Sequence, residues 1–211
     1  MQDDVLAALA GRPIMPPSPP REKTMAAPDR LPPIPPSAYD QAQAEAAAEF
    51  RARRGSEPFG PYAPLLRSPA VMRDVEALGV RMRHHSCLSE DLKELAICQV
   101  ARAYSQQFEW SVHAREAEKA GVSRTVIAAL AEGRRPDGMS ADEALIHDAV
   151  AELLSTRRWS DTTYERVVAR HGERGAVEIP ALVGIYALLA LVLNVARTPA
   201  DGAEGLARWP E

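Results

Sequence analysis

Two carboxylates, an imidazole and an amide that together could transfer a proton lie between positions 94 and 113 of the sequence. Glu94 stands among apolar neighbours, and Gln106, Glu109 and His113 follow it. Positions i, i+3 and i+7 of a helix share one face, so the last three residues form a single stripe. An imidazole that a carboxylate orients and tunes can give or take a proton near neutral pH. The pattern therefore predicts a proton-transfer site made by two neighbouring helices.

A Glu–His pair at this spacing also has a structural interpretation. Glu109 and His113 are four residues apart, and such pairs are common on helix surfaces and in buried polar networks. Spacing alone leaves catalytic and structural roles open.

The cysteines predict no thiol chemistry. Cys87 and Cys98 are the two cysteines of the chain and form no CxxC motif, so we expect no disulfide framework. Cys98 lies in an apolar run, which predicts a small buried side chain rather than a reactive thiol. Cys87 follows His84 and His85, but one turn seldom supplies a full set of metal ligands and no other Cys/His cluster completes it. We expect no metal site and no cofactor.

Helical patterns occupy the chain from Ser37 onward, because alanine is abundant and no run of alternating β-branched residues appears. Ser68 with Pro69, and Ser89 with two acidic residues after it, are typical helix starts. The predicted helices cover residues 38–54, 69–84, 89–104, 105–120, 123–131, 140–156, 161–171 and 173–197. Eight helices with short connections predict an all-α antiparallel bundle.

The N-terminal segment has a different composition. Ten of the eighteen prolines precede Ser37, and such a segment has little apolar surface to bury. We divide the chain into a flexible Pro-rich extension (1–37), a helical domain (38–200) and a C-terminal tail (201–211). Two alternatives remain for the extension: it could be a polyproline ligand of a partner domain, or translation could begin at Met25 so that the preceding residues are not part of the protein. Residues 5–10 could form a short helical turn.

Charge and hydropathy exclude several classes of partner. The chain has 25 basic and 29 acidic side chains, for a net charge of -4, so it lacks the basic surface expected for nucleic-acid binding. The longest apolar run, 179–196, contains Pro180, Gly184 and Asn194. We interpret it as a buried core or interface helix rather than a membrane span. No signal peptide is visible, and we expect a cytoplasmic protein without membrane partners.

The segment KELAICQVARAYSQQFEWSVHAREAEKAGVS resembles the carboxymuconolactone decarboxylase family, whose superfamily includes the alkyl hydroperoxidase D-like proteins. The peroxidase branch has a glutamate, eleven residues, CxxC, three residues and a histidine. Here Glu94, Gln106, Glu109 and His113 keep that spacing, with glutamine and glutamate at the cysteine positions. An alanine and Gly121 follow as in the family. The resemblance extends over residues 60–197 and is strongest over 90–135.

The resemblance implies an alkyl hydroperoxidase D-like helical bundle and directs the functional prediction. Thiol peroxidase activity needs a thiolate and a resolving thiol, and Gln106 and Glu109 supply neither. The decarboxylase-like branch implies a lyase or isomerase acting on a small carboxylated or lactone-like substrate. His113 is the predicted acid/base, and Glu94 and Glu109 orient it, tune it or carry the proton. Other acid/base chemistry and a non-enzymatic oligomeric binding protein that keeps the fold remain alternatives.

Substrate contacts are less well defined by the sequence. A substrate carboxylate would bind an arginine, and the sequence does not choose among the candidates. These are Arg81, Arg83, Arg102 and Arg115. Gln106, Trp110, Arg102 and Asn194 are the predicted substrate-binding residues, although Trp110 could also pack within the bundle and Asn194 could cap the last helix. The resemblance further implies a homo-oligomer, a trimer or hexamer.

Overall fold

The structure is a computed structural model that describes residues 28–200. A 3₁₀ turn at Pro36–Ala38 precedes eight α-helices in this part of the chain, where no strand occurs. The helices are α1 (Gln41–Arg54), α2 (Tyr62–Leu65), α3 (Pro69–His84), α4 (Glu90–Ala103), α5 (Gln107–Ala120), α6 (Arg124–Ala131), α7 (Ala141–Thr156) and α8 (Asp161–Ala196). The all-α prediction is confirmed.

Short polar side chains fix several of the helix ends. Asp40 and Gln43 form a reciprocal capping box at the start of α1, and Ser140 and Glu143 form the predicted one at the start of α7. At the end of α5, Gly121 has a φ of 105°, which a residue with a side chain adopts with strain. The local sequence therefore determines these boundaries.

Three local features differ from the sequence-based expectation. The loop after α1 contains the short helix α2. Ser68 and Ser89 precede α3 and α4 as predicted, but neither hydroxyl makes a capping hydrogen bond. The start of α3 depends instead on Pro69, whose ring fixes φ at a helical value. The two predicted C-terminal helices form one element, α8, with a break at Gly172 (φ 69°, ψ 179°).

Helix α4 lies at the centre of the bundle and packs against α5, α6, α7 and α8. Every residue from Leu92 to Ala101 is buried. Ile97 and Val100 join the main apolar core, which is shared with α1, α3, α7 and α8, whereas Leu95 and Cys98 join a second cluster with α5 and α6. The polar side chains within this stretch, Lys93, Glu94 and Gln99, are consequently held away from solvent.

Part of the predicted extension lies against the helical domain. The backbone N–H of Arg30 donates to the carbonyl of Ala196 at the end of α8 (2.7 Å), and Arg67 donates to the carbonyl of Pro32 (2.8 Å). Residues 30–32 thus run between the end of α8 and the loop before α3. The predicted flexibility of 1–27, the helical turn at 5–10 and the C-terminal tail 201–211 lie outside the described residues.

Helix α8 is long and apolar enough to cross a membrane by length and composition, a criterion that core helices of soluble proteins also meet. One face packs into the main core through side chains such as Leu182, Ile185 and Leu189. The opposite face leaves apolar side chains exposed. These are Val177, Leu188, Leu191 and Val195. The main core therefore covers one apolar face of α8, whereas the described chain leaves the apolar side chains of the opposite face exposed.

A buried carboxylate joins α1 to α3. Glu76 is 1% exposed and accepts hydrogen bonds from Arg53 (2.5 Å) and Arg54 (3.3 Å). The Arg54 guanidinium also lies over the rings of Phe50 and Tyr62, at 5.4 and 5.0 Å from their centroids. Charge pairing and cation–π contacts together connect α1, α2 and α3.

We predict that Glu76→Ala lowers the free energy of unfolding by about 3 kcal/mol, because it leaves Arg53 and Arg54 without their shared acceptor. Glu49→Ala is the matched control, since Glu49 pairs with Arg73 at the exposed surface of the same helices, and its loss should be much smaller. Urea denaturation measures both. Equal losses would contradict the structural role given to Glu76.

Candidate functional site

The imidazole of His113 lies between two carboxylates. Its Nδ1 is 2.6 Å from Oε2 of Glu94, and its Nε2 is 3.3 Å from Oε2 of Glu109. Glu94 is 1% exposed, and Glu109 and His113 are each 4% exposed. The structure therefore brings the three predicted catalytic residues into one buried cluster.

Two neighbouring helices position this cluster. Glu94 belongs to the fully buried stretch of α4, and Glu109 and His113 lie one turn apart on α5, the helix that packs beside it. The other buried residues of α5 include Trp110 and Ala117. Because Glu94 and its apolar neighbours are equally buried, its carboxylate needs a partner within the protein, and His113 supplies it.

The charges of the cluster favour a protonated imidazole. Burial alone would lower the pKa of His113, but hydrogen bonds and charges from Glu109 and Glu94 outweigh burial and raise that pKa to about 9. At neutral pH the ring thus holds a proton on each nitrogen, with one proton directed to each carboxylate. The cluster stores a transferable proton in a site that excludes bulk water.

Sequence reasoning missed Tyr186, which covers the imidazole from α8. The rings of His113 and Tyr186 are 5.0 Å apart and almost perpendicular, at 88°. Burial raises the pKa of the Tyr186 phenol well above its usual value. The sequence does show a tyrosine within the long apolar run 179–196, which could have suggested a polar contact inside the bundle. Its contact with His113, however, depends on how α8 lies relative to α5.

Gln106 and Asn194 are brought together, in a bridge between α8 and the start of α5. Gln106 Oε1 accepts from the backbone N–H of Phe108 (2.7 Å) and its Nε2 donates to Asn194 Oδ1 (2.7 Å). Asn194 in turn donates to the carbonyl of Tyr104 (2.9 Å). None of these hydrogen bonds reaches His113, so both side chains position the helix that carries the imidazole.

Trp110 and Arg102 contact neighbouring helices. Trp110 is 1% exposed and packs in the second apolar cluster. Arg102 Nε donates to the carbonyl of Ala131 at the end of α6 (2.9 Å). The structure gives Trp110 and Arg102 packing contacts between helices, and their predicted role in substrate binding stays a prediction.

Neither cysteine resembles an activated thiol. Burial, and then the charge of Glu94, raise the pKa of the Cys98 thiol far above its usual value. Burial and Glu178 likewise raise the pKa of Cys87. In residues 28–200, no group of three or more histidine, cysteine or acidic side chains is placed to hold a metal ion. His84, His85 and Cys87 therefore do not assemble into a ligand set within this range.

The cluster lines neither of two surface grooves that lie in the described part of the chain. One groove of about 390 Å³ runs between α3 and α8 and is largely apolar. The other lies where α7 ends and α8 begins. The His113 ring is buried, and Tyr186 is one of the side chains that pack against it.

One family model matches part of the chain. A model of the carboxymuconolactone decarboxylase family matches residues 69–151, which include Glu94, Glu109 and His113. The search of curated proteins finds no match.

Two kinds of solved structure share the fold. An alkylhydroperoxidase AhpD core protein from Ralstonia eutropha JMP134 aligns with a TM-score of 0.67 and 17% identity, covering 88% of this chain and 100% of its own. A variant of the debrominase Bmp8 in complex with 2,3,4-tribromopyrrole aligns with a TM-score of 0.62 and 16% identity, covering 85% and 95%. The predicted alkyl hydroperoxidase D-like fold is confirmed.

The raised pKa of His113 predicts a pH-dependent stability. A group whose pKa is raised by folding stabilises the protein below its unfolded pKa, here 6.5, and loses that effect as the pH rises through about 9. The free energy of unfolding of the wild type should therefore fall between these values, by on the order of 3 kcal/mol through this group.

Urea denaturation across this pH range measures the effect. His113→Asn should show a flatter profile, because asparagine does not titrate. His147→Asn, which changes a buried histidine on α7, should retain the wild-type fall. Parallel profiles for wild type and His113→Asn would contradict the protonated, doubly paired imidazole.

Proposed function

The chain belongs to the carboxymuconolactone decarboxylase and alkyl hydroperoxidase D-like superfamily, and from that premise we propose that it catalyses acid/base chemistry at His113. The proposed reaction is that of a lyase or isomerase on a small carboxylated or lactone-like substrate. The observation that carries the proposal is the buried imidazole held between Glu94 and Glu109. Neither a thiol nor a metal ion takes part in the proposed steps.

In the decarboxylating form of the reaction, the bond between the substrate carboxylate and the adjacent carbon breaks and releases CO2. Its electron pair moves into the carbon framework toward the lactone carbonyl, and a proton added to carbon completes the product. The imidazolium of His113 supplies that proton and is restored from solvent. An isomerase would use the same ring first as base and then as acid.

The two carboxylates have different geometry and so are given different roles. The 2.6 Å contact with Glu94 fixes the ring through Nδ1, as a charge-assisted hydrogen bond does. The contact of Nε2 with Glu109 is longer, 3.3 Å. We assign the Nε2 proton as the one transferred to the substrate. Before the substrate binds, the Nε2–H group donates a hydrogen bond to Glu109.

Substrate entry requires the site to open. His113 is buried beneath Tyr186, and neither surface groove is lined by the cluster. A rotation of the Tyr186 side chain or a small displacement of α8 would expose Nε2. Exclusion of water before the substrate enters would preserve the ion pairs that hold the proton.

We expect His113→Asn to reduce turnover of a small carboxylated lactone by roughly 10²- to 10⁴-fold, the usual contribution of a general acid or base. A panel of lactones with one or two carboxylates is incubated in D2O. Release of CO2 and the appearance of a carbon–deuterium bond are followed by mass spectrometry. The deuterium label reports the proposed proton transfer directly.

His147→Asn is the control, since it removes a histidine from α7 without touching the cluster. Circular dichroism establishes that each variant is folded, and His113→Gln provides a second replacement. Turnover that survives both His113 replacements would rule out the assigned acid/base role.

A second candidate function is a non-enzymatic oligomeric binding protein that retains the fold. The closed cluster supports it, because a buried ion network can serve stability alone. The exposed apolar face of α8 supports it too, since Leu191 is 52% exposed and Val195 is 62% exposed. For this candidate, no lactone of the panel would be turned over by the wild type.

Both candidates include a homo-oligomer built through the exposed face of α8, a trimer or a hexamer. Light scattering after gel filtration should give a multiple of the monomer mass for the full chain. Leu191→Arg should lower that mass, because it places a charge on the apolar face. Val112→Arg on α5, also an exposed apolar position, should leave it unchanged. A monomeric wild type would contradict this assembly.

A further inference from the structure

The proposed reaction gives up one of the two hydrogen bonds that hold the His113 ring. Nδ1 lies 2.6 Å from Glu94 and Nε2 lies 3.3 Å from Glu109. When the Nε2–H bond breaks and the proton moves to the substrate carbon, the neutral ring keeps its Nδ1 proton, and Glu94 remains its partner. A single hydrogen bond leaves the ring able to turn, because the outer torsion of a histidine side chain has a broad range of favourable angles. The orientation of Nε2 therefore depends on a further contact.

Tyr186 makes such a contact with the imidazole. The centroids of the two rings are 5.0 Å apart, and the ring planes meet at 88°. Both side chains are 4% exposed. An edge-to-face arrangement at this separation is favourable for aromatic side chains. Since a turn of the imidazole about its Cβ–Cγ bond would change the angle between the rings, packing against Tyr186 opposes that turn.

The contact comes from a helix that contributes none of the carboxylates. Tyr186 lies on α8 and belongs to the main apolar core. About two turns further along the same helix, Asn194 accepts a hydrogen bond from Gln106 at the start of α5 (2.7 Å). The same two helices are thus joined at a second point, which supports the placement of Tyr186 beside His113.

The ring of Tyr186, rather than its hydroxyl, makes the contact. Among residues 28–200, the polar contacts of the cluster run between His113 and the carboxylates of Glu94 and Glu109, and the Tyr186 hydroxyl takes part in none of them. Burial raises the pKa of the phenol well above its usual value, so the side chain is neutral near pH 7. Loss of the hydroxyl alone should therefore leave the imidazole in place.

We propose that Tyr186 is a positioning residue, whose ring holds the imidazole of His113 in the orientation from which Nε2 passes its proton to the substrate. The assignment rests on the proposed function, because it concerns the step in which the contact with Glu109 is released. Once the substrate has entered, the return of Tyr186 to this contact restores the orientation of the ring. Tyr186 acts through His113 and neither gives nor takes a proton.

NMR of the histidine ring tests the assignment without requiring turnover. The five histidines are labelled with ¹⁵N, and His113→Asn identifies the signals of His113. Burial lowers the pKa of His113, and hydrogen bonds and charges from Glu109 and Glu94 outweigh burial and raise it to about 9. In Tyr186→Leu the ring can turn away from these carboxylates, so its pKa should fall toward 6.5. Tyr186→Phe keeps the aromatic ring and should titrate as the wild type does.

The same variants should separate kcat from KM. We expect Tyr186→Leu to lower kcat for a lactone of the panel by roughly 10- to 100-fold, because a small misplacement of a reacting group is costly. KM should change little, since Tyr186 is given no contact with the substrate. Tyr186→Phe should restore kcat to within a few-fold of the wild type, on the order of the effect of one weak contact.

Ile179→Ala is the matched control. Ile179 is fully buried in the main core on the same helix, about two turns before Tyr186. Its replacement loosens α8 and should leave the His113 titration unchanged. Thermal unfolding establishes that each variant is folded. If Tyr186→Leu does not fold, Tyr186→Met fills more of the space without an aromatic ring and takes its place.

Three results would overturn the assignment. They are a wild-type titration of His113 in Tyr186→Leu, an equal change in Tyr186→Phe, and an equal change in Ile179→Ala. The second would assign the effect to the hydroxyl, and the third to general loosening of α8. The proposed function fails by a different result, namely turnover that is unaffected by replacement of His113.

Discussion

Burial of charge at the contact between α4 and α5 is the constraint on which the rest of the structure depends. The Glu94 carboxylate lies in a helix whose central ten residues are all buried, where an unpaired charge would be strongly destabilising. His113 and Glu109 compensate for this cost from the neighbouring helix. The same compensation raises the pKa of the imidazole, so the network that makes burial possible also produces a group able to donate a proton.

The surrounding elements preserve that geometry from three directions. The Gln106–Asn194 bridge fixes the start of α5 against α8, and Tyr186 of α8 packs on the imidazole. Apolar clusters on both faces of α4 hold Glu94 in the interior. A change in the position of α8 would therefore alter both the surroundings of His113 and the support of its helix.

The fold is shared with proteins that carry different chemistry. One structural neighbour is an alkylhydroperoxidase AhpD core protein and another is a debrominase, at 17% and 16% identity. At such identities the likeness concerns the fold, and function must be argued from the site. By the resemblance of its sequence, this chain is expected to hold Gln106 and Glu109 at the positions of the thiol pair of the peroxidase branch. Gln106 caps a helix, and Glu109 contacts the imidazole.

The sequence by itself determined the helices, most of their ends and the Glu109–His113 pair, because these depend on periodicity, capping side chains and residues one turn apart. Its family spacing also identified Glu94. Tertiary structure alone decided that Glu94 reaches His113 and that Tyr186 packs against the ring. It also joined Gln106 to Asn194 across the bundle. These contacts come from the way α5 and α8 pack against α4, and long-range packing of this kind is not encoded in any local pattern.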